Sequence, residues 1–275
     1  MNKGGHIGVF DSGFGGLTIL RGIVKELPEY SYIYLGDNAR APYGNRSKEL
    51  IYEFTKQAVD FLFTKGCELI ILACNTASSE ALHKIQQEYL PTKYPNKNVL
   101  GVLIPAAEYA VNVTKNNKVG VIATEGTVNS GTFVRELEKL SPKIKVVQQA
   151  CPLLVPIVES GAVDSKATKL ILEEYLAPLR EQNIDTLILG CTHYGLLEKQ
   201  IRDVLGNNVE VISEATCVPP KLGDYLTRHE EISKKLRRDR SVKFYSTDPT
   251  DKFITLGSEF YGEKVAVEKL TTLEY

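Results

Sequence analysis

The chain has 275 residues, 43% hydrophobic and 24% charged, with a net charge of −1. This is enough apolar material for one large or two ordinary domains, and the near-zero charge excludes a broad basic footprint for nucleic acid or anionic membrane. The five cysteines form no CxxC pair and no apolar run reaches membrane length or reads as a signal peptide, so neither a zinc knuckle nor a disulfide framework is expected, and the chain reads as cytoplasmic with reduced thiols.

Short apolar runs alternate with amphipathic stretches. HIGVFDS (6–12) reads as a buried strand and GGLTILRGIVKEL after it as a helix; YSYIYLGD (30–37) is the next strand. Residues 47–65 carry Leu50, Ile51, Phe54, Ala58, Phe61 and Leu62 at helical spacing. CELIILAC (67–74) is a strand and residues 77–89 a helix. NVLGVLI (98–104), KVGVIAT (118–124), KIKVVQQA (143–150), DTLILGC (185–191) and VEVIS (209–213) continue the strand series. FYST (244–247) and AVEKL (266–270) are candidate late strands, and KKLRRDR (234–240) reads as a solvated helix end. The alternation predicts an α/β fold with mainly parallel sheets. The strands are apolar throughout, as when helices cover both faces.

An internal echo relates IGVFDSG (7–13) to VGVIATEG (119–126), and LIILACNT (69–76) to LILGCTH (187–193). Two similar α/β units facing each other are therefore expected. The first comprises 1–98 plus the returning tail 213–275, and the second 99–212.

Ligands of parallel sheets collect beyond the carboxyl ends of the strands. Polar groups cluster at four such places: Asp11–Ser12; Asp37–Asn38 with the loop APYGNRS (41–47); Cys74–Asn75–Thr76; and Cys191–Thr192–His193. If the units face each other, the two thiols approach one crevice from opposite sides. That arrangement suits inversion of a carbon centre, which needs a base on one face and an acid on the other. A free thiol has a pKa of ~8.5, so both forms are within reach of neutral pH. Asp11 is placed to accept a proton from Cys74, and His193 from Cys191. Ser12, Thr76 and Thr192, with helix N-termini, offer donors to a carboxylate. Taken singly these signals are weaker. DSGFGG also fits a packing turn, Asp11 a helix cap, and His193 a structural hydrogen-bonder; Cys67, Cys151 and Cys217 read as structural. No GxxxxGK[ST] motif follows the glycines.

The set DSGFGGLTIL, DNARAPYGNRS, ACNTAS, ACPLLVPIVESG and GCTHYGLL resembles the glutamate racemases of the cofactor-independent aspartate/glutamate racemase superfamily. The resemblance runs from about residue 6 to 213, with a looser match at FYSTDPTDKF. It implies two α/β domains with the active site between them and interconversion of L- and D-glutamate for peptidoglycan. It implies no pyridoxal phosphate, metal or nucleotide, and a possible homodimer. By the same resemblance Cys74 and Cys191 are the acid/base thiols, Asp11 assists Cys74, His193 assists Cys191, and Glu159 is a further carboxylate near the second thiol. Substrate contacts would come from Asp11, Ser12, Tyr43, Gly44, Asn75, Thr76, Thr192 and His193, with Thr124 and Thr127 as weaker candidates. Two departures stand out: Gly195 where the family usually has Pro, and ISEAT (212–216) where it has an Asp-Ser-Gly-like stretch. A change of substrate to aspartate or a hydantoin, a single-thiol hydrolase and a non-catalytic binding module are the alternative readings of the sequence.

Overall fold

The computed structural model describes residues 4–269. Ten strands follow the apolar runs: β1 His6–Asp11, β2 Tyr32–Gly36, β3 Cys67–Leu72, β4 Asn98–Gly101, β5 Lys118–Ala123, β6 Lys145–Ala150, β7 Thr186–Gly190, β8 Glu210–Ile212, β9 Val242–Ser246 and β10 Val267–Lys269. They form two sheets, one in the order β10-β9-β2-β1-β3-β4 and the other β6-β5-β7-β8. Every pairing is parallel. The fold is thus α/β with helices on the sheet faces, as the continuous apolar strands predict. Leu270, the last residue of the expected final strand, lies outside the described residues.

Side-chain alternation divides the first sheet between two cores. Ile7, Val9, Tyr32, Tyr34, Leu69 and Ile71 face a core shared with the second sheet and with the helices Leu17–Glu26, Leu103–Val113 and Glu214–Arg228. Phe10, Ile33, Leu35, Ile70 and Leu72 face the helix Lys48–Thr64. Each such side chain is fully buried, a gain of roughly 1.5–3 kcal/mol apiece. The two halves therefore share a continuous apolar core.

The tail joins the first sheet: β9 pairs with β2, and β10 with β9. β4 pairs with β3 through Gly101. The expected strand 98–104 stops there because Leu103, Ala106, Ala107 and Ala110 are buried at helical spacing, and Pro105 sits in a first turn where it costs no hydrogen bond. The helix expected over 77–89 starts at Asn75 and contains a π-turn at Ile85–Tyr89. Residues 234–240 are not a helix end: the helix Glu230–Ser233 has closed, and the segment runs back along Gly5, which Arg237 meets through its backbone.

Candidate active site

Because all strands within each sheet run parallel, their carboxyl ends gather at one edge. β1 ends at Asp11, β3 leads to Cys74, β5 to Thr124, β7 to Cys191 and β8 to Glu214. These ends meet around a small inner cavity of about 30 Å³, lined by Ser12, Tyr43, Gly44, Asn75, Thr76, Thr124, Glu159, Thr192, His193 and both thiols, Cys74 and Cys191. By that measure it holds about two waters. A wider vestibule of about 640 Å³ shares Gly13, Pro42, Gly44, Thr124 and Glu159 with it and reaches Lys252.

Cys74 is the N-cap of the helix Asn75–Glu80, its sulfur accepting the Ala77 N–H at 3.5 Å. Its thiol also meets Ser12 Oγ at 3.4 Å. Burial pushes this thiol up to about 12, and the charge of Asp11 adds to that. Asp11 does not line the cavity. It lies behind the wall, 1% exposed, accepting the Gly13 N–H at 2.9 Å and the Thr192 hydroxyl at 3.4 Å. Burial holds its carboxyl above the usual range, against the opposing pull of His193. Tyr34 pins the same loop by donating its hydroxyl to Gly13 O at 2.9 Å.

Cys191 stands across the cavity. Its sulfur lies 3.9 Å from His193 Nδ1. Burial raises it well above the ordinary thiol range, and the charges of Cys74, Asp11 and Glu214 push the same way. His193 Nε2 lies 3.4 Å from Glu159 Oε1, but the alignment falls short of a hydrogen bond, so the pair interacts through charge once the ring is protonated. Contact with His193 holds the Glu159 carboxyl below its usual range, with Lys252, 3.5 Å away, contributing. The surroundings of the two thiols differ: Cys74 meets Ser12 and Cys191 meets His193, itself beside Glu159, while the charge of Asp11 acts on both.

Thr76, from the first half, forms a hydroxyl triangle with Thr124 and Thr127 from the second, with edges of 3.0, 3.3 and 3.1 Å. Tyr43 borders the cavity, but its hydroxyl is spent on buried Asp37, which also holds Arg40 at 2.7 Å. The ring packs among apolar side chains. Every residue expected at the site therefore lines the cavity or stands directly behind its wall. Two were missed. Asp37, named only as a strand end, anchors the 41–47 loop. Glu214 is 2% exposed and accepts a 2.6 Å hydrogen bond from Asn75 Nδ2. The signal for Glu214 was present in the sequence, because it follows β8 as Cys74 and Cys191 follow β3 and β7. Among the described residues, no group of three or more His, Cys, Asp or Glu side chains is placed to hold a metal ion. Among the same residues, no helix is long and apolar enough to cross a membrane.

Two buried thiols that reach one cavity from different sheets are an arrangement able to move protons to and from a carbon held between them. Known proteins similar to this chain are racemases. Residues 7–218 match the model of the Asp/Glu/hydantoin racemase family. The glutamate racemase of Geobacter metallireducens is 38% identical over 98% of this chain and 97% of its own length. Among solved structures, a glutamate racemase isoform from Bacillus anthracis superposes with a TM-score of 0.89 at 37% identity, covering 98% of each chain. The glutamate racemase of Francisella tularensis, in complex with D-glutamate, gives 0.88 at 34%, covering 99% of each.

Proposed function

The chain belongs to the Asp/Glu/hydantoin racemase family and racemises glutamate, and we propose that it does so by passing the α-proton between substrate and two thiols, Cys74 and Cys191. The observation that carries this reading is that both sulfurs line one small cavity from opposite sheets. One thiol, as thiolate, removes the α-proton and leaves a planar carbanion. The other delivers its proton to the opposite face. The reverse reaction exchanges the two roles.

Both thiols are pushed upward by burial, so the thiolate needs compensating positive charge. The α-ammonium of bound glutamate supplies it in a site of low dielectric. In this reading Asp11 holds or returns the proton of Cys74, while His193 serves Cys191 with Glu159 behind it. Ser12, Asn75, Thr76 and Thr192, together with the backbone at Tyr43–Gly44, hold the substrate's carboxylates. The product is D-glutamate for peptidoglycan, the role of the family. A cytoplasmic location fits five unpaired cysteines. A homodimer belongs to the same reading, with exposed Ile104, Leu153 and Leu170 available to a contact.

The test is solvent exchange. Purified protein in D₂O should incorporate deuterium at the α-carbon of glutamate, and Cys74→Ser and Cys191→Ser should each lower racemisation by roughly 10³-fold or more. Full-rate inversion by either single variant defeats the two-thiol mechanism.

A further inference from the structure

Two buried acceptor atoms at the edge of the site have no donor: Asn75 Oδ1 and Glu214 Oε1. They belong to side chains already joined by the bond from Asn75 Nδ2 to Glu214 Oε2, at 2.6 Å. Both residues are almost fully enclosed, 3% and 2% exposed. An unpartnered buried polar atom is destabilising, and a buried carboxylate without a cation is more so. Among the described residues no basic side chain bonds Glu214. The titratable groups facing it are Asp11 from β1, Cys191 from the end of β7, and Cys217 one turn along its own helix. The helices packed on that helix bring Arg21, Lys25 and Glu26, Glu108, and Glu230 and Glu231. None of these bonds it, and Glu108 is engaged by Lys221 at 2.8 Å.

We propose that Glu214 is a neutral acid that positions Asn75 for substrate, an inference that rests on the glutamate-racemising reading above. One proton on the carboxyl provides the missing donor. The acid then donates to the carboxamide oxygen of Asn75 while accepting from its nitrogen, which fixes the orientation of the amide. Asn75 belongs to the cavity lining, and its second N–H is left for an acceptor oxygen of the substrate. Ionised, the same residue would add a negative charge beside Asp11 and two thiols that must themselves ionise. Burial drives Glu214 toward the neutral form, and the charge of Asp11 drives it further. The helix Glu214–Arg228 holds the acid firmly in place, because Gly22 lets that helix approach so closely that a Cβ there would lie 2.5 Å from Ala215 O.

The experiment compares Glu214→Ala and Glu214→Gln in steady-state racemisation from both enantiomers, with an infrared difference spectrum of wild type minus Glu214→Gln at pH 7. Glu214→Ala should raise KM roughly tenfold with kcat within about threefold, as when uniform binding is lost. Glu214→Gln, which reproduces the donor and acceptor pattern of the neutral acid, should bring KM back to within about twofold. The spectrum should show a protonated-carboxyl carbonyl band assigned to Glu214. An unchanged KM in Glu214→Ala, a Glu214→Gln variant as impaired as Glu214→Ala, or a carboxylate band in place of the acid band overturns the proposal. If Glu214→Ala does not fold, the glutamine variant and the spectrum decide alone. Wild-type deuterium exchange tests the functional reading separately: its absence removes that reading, whereas normal exchange with an unaltered Glu214→Ala variant removes only this one.

Discussion

A methyl group at position 15 would lie 2.8 Å from His193 Nδ1 and closer still to Thr192 Oγ1. Gly15 is the point where the loop after β1 presses on the loop after β7, so its lack of a side chain sets the spacing of the two loops. Gly15→Ala should push Thr192 and His193 away from Cys191 and lower kcat/KM by roughly 10²-fold, the usual consequence of an ångström of misplacement. Asp11 acts at the same scale by charge. Its folded-state pKa is raised, chiefly by burial, so the stability it contributes is fully present below the unfolded value of about 3.9 and is lost as pH rises through the folded value. Asp11→Asn removes that loss. Thermal melts should show the variant more stable than wild type at pH 8, with the gap narrowing as the pH is lowered toward the unfolded value, while racemisation falls roughly 10²-fold or more. The trade is the one expected of a strained functional group.

At the scale of elements, the helix Asn75–Glu80 begins on the sulfur to which the proposed mechanism assigns proton transfer. Its N-cap is Cys74, whose sulfur accepts from Ala77 N. Serine is a far better cap than a thiol. Cys74→Ser should therefore keep or slightly raise the melting temperature while abolishing racemisation, and the pair of measurements separates lost chemistry from lost fold. This double duty also explains what the sequence made readable. The runs ending at Cys74 and Cys191 were legible because a parallel strand buried on both faces is apolar along its whole length, and both thiols stand just beyond such a run. The strand–helix switch at residues 101–103 was not legible, because NVLGVLI suits either period until Ala106 and Ala110 are buried by the neighbouring helices. Nor was the π-turn at 85–89. Glu214 carried the same positional signal as the thiols, but its hydrogen-bond partner is Asn75, 139 residues away, and only the assembled sheet edges bring the two together.

Across the whole molecule, all five cysteines are buried and unpaired, and burial raises every one of them. Cys74, Cys151 and Cys217 are pushed up to about 12, Cys67 and Cys191 also upward. A thiol whose folded pKa exceeds its unfolded value keeps its proton in the native state after the unfolded chain has released its own. Each therefore contributes stability that is intact below about pH 8.5 and is withdrawn as pH climbs toward the folded value, by about 1.4 kcal/mol per pH unit for each thiol once fully titrating. Buried Tyr34, Tyr43 and Tyr194 act in the same direction at higher pH, because burial raises them too. The protein should hold its urea midpoint up to about pH 8 and then lose it steeply between roughly pH 9 and 11. Cys217 lies in the large core but outside the cavity, so it isolates the effect. Cys217→Ala should make the alkaline loss shallower by about one proton's worth, about 1.4 kcal/mol per pH unit, as measured by urea denaturation at pH 8, 9 and 10. An identical slope in wild type and variant would place the alkaline sensitivity elsewhere in the molecule, and would mean that the thiols of this core are not held in their neutral form by burial.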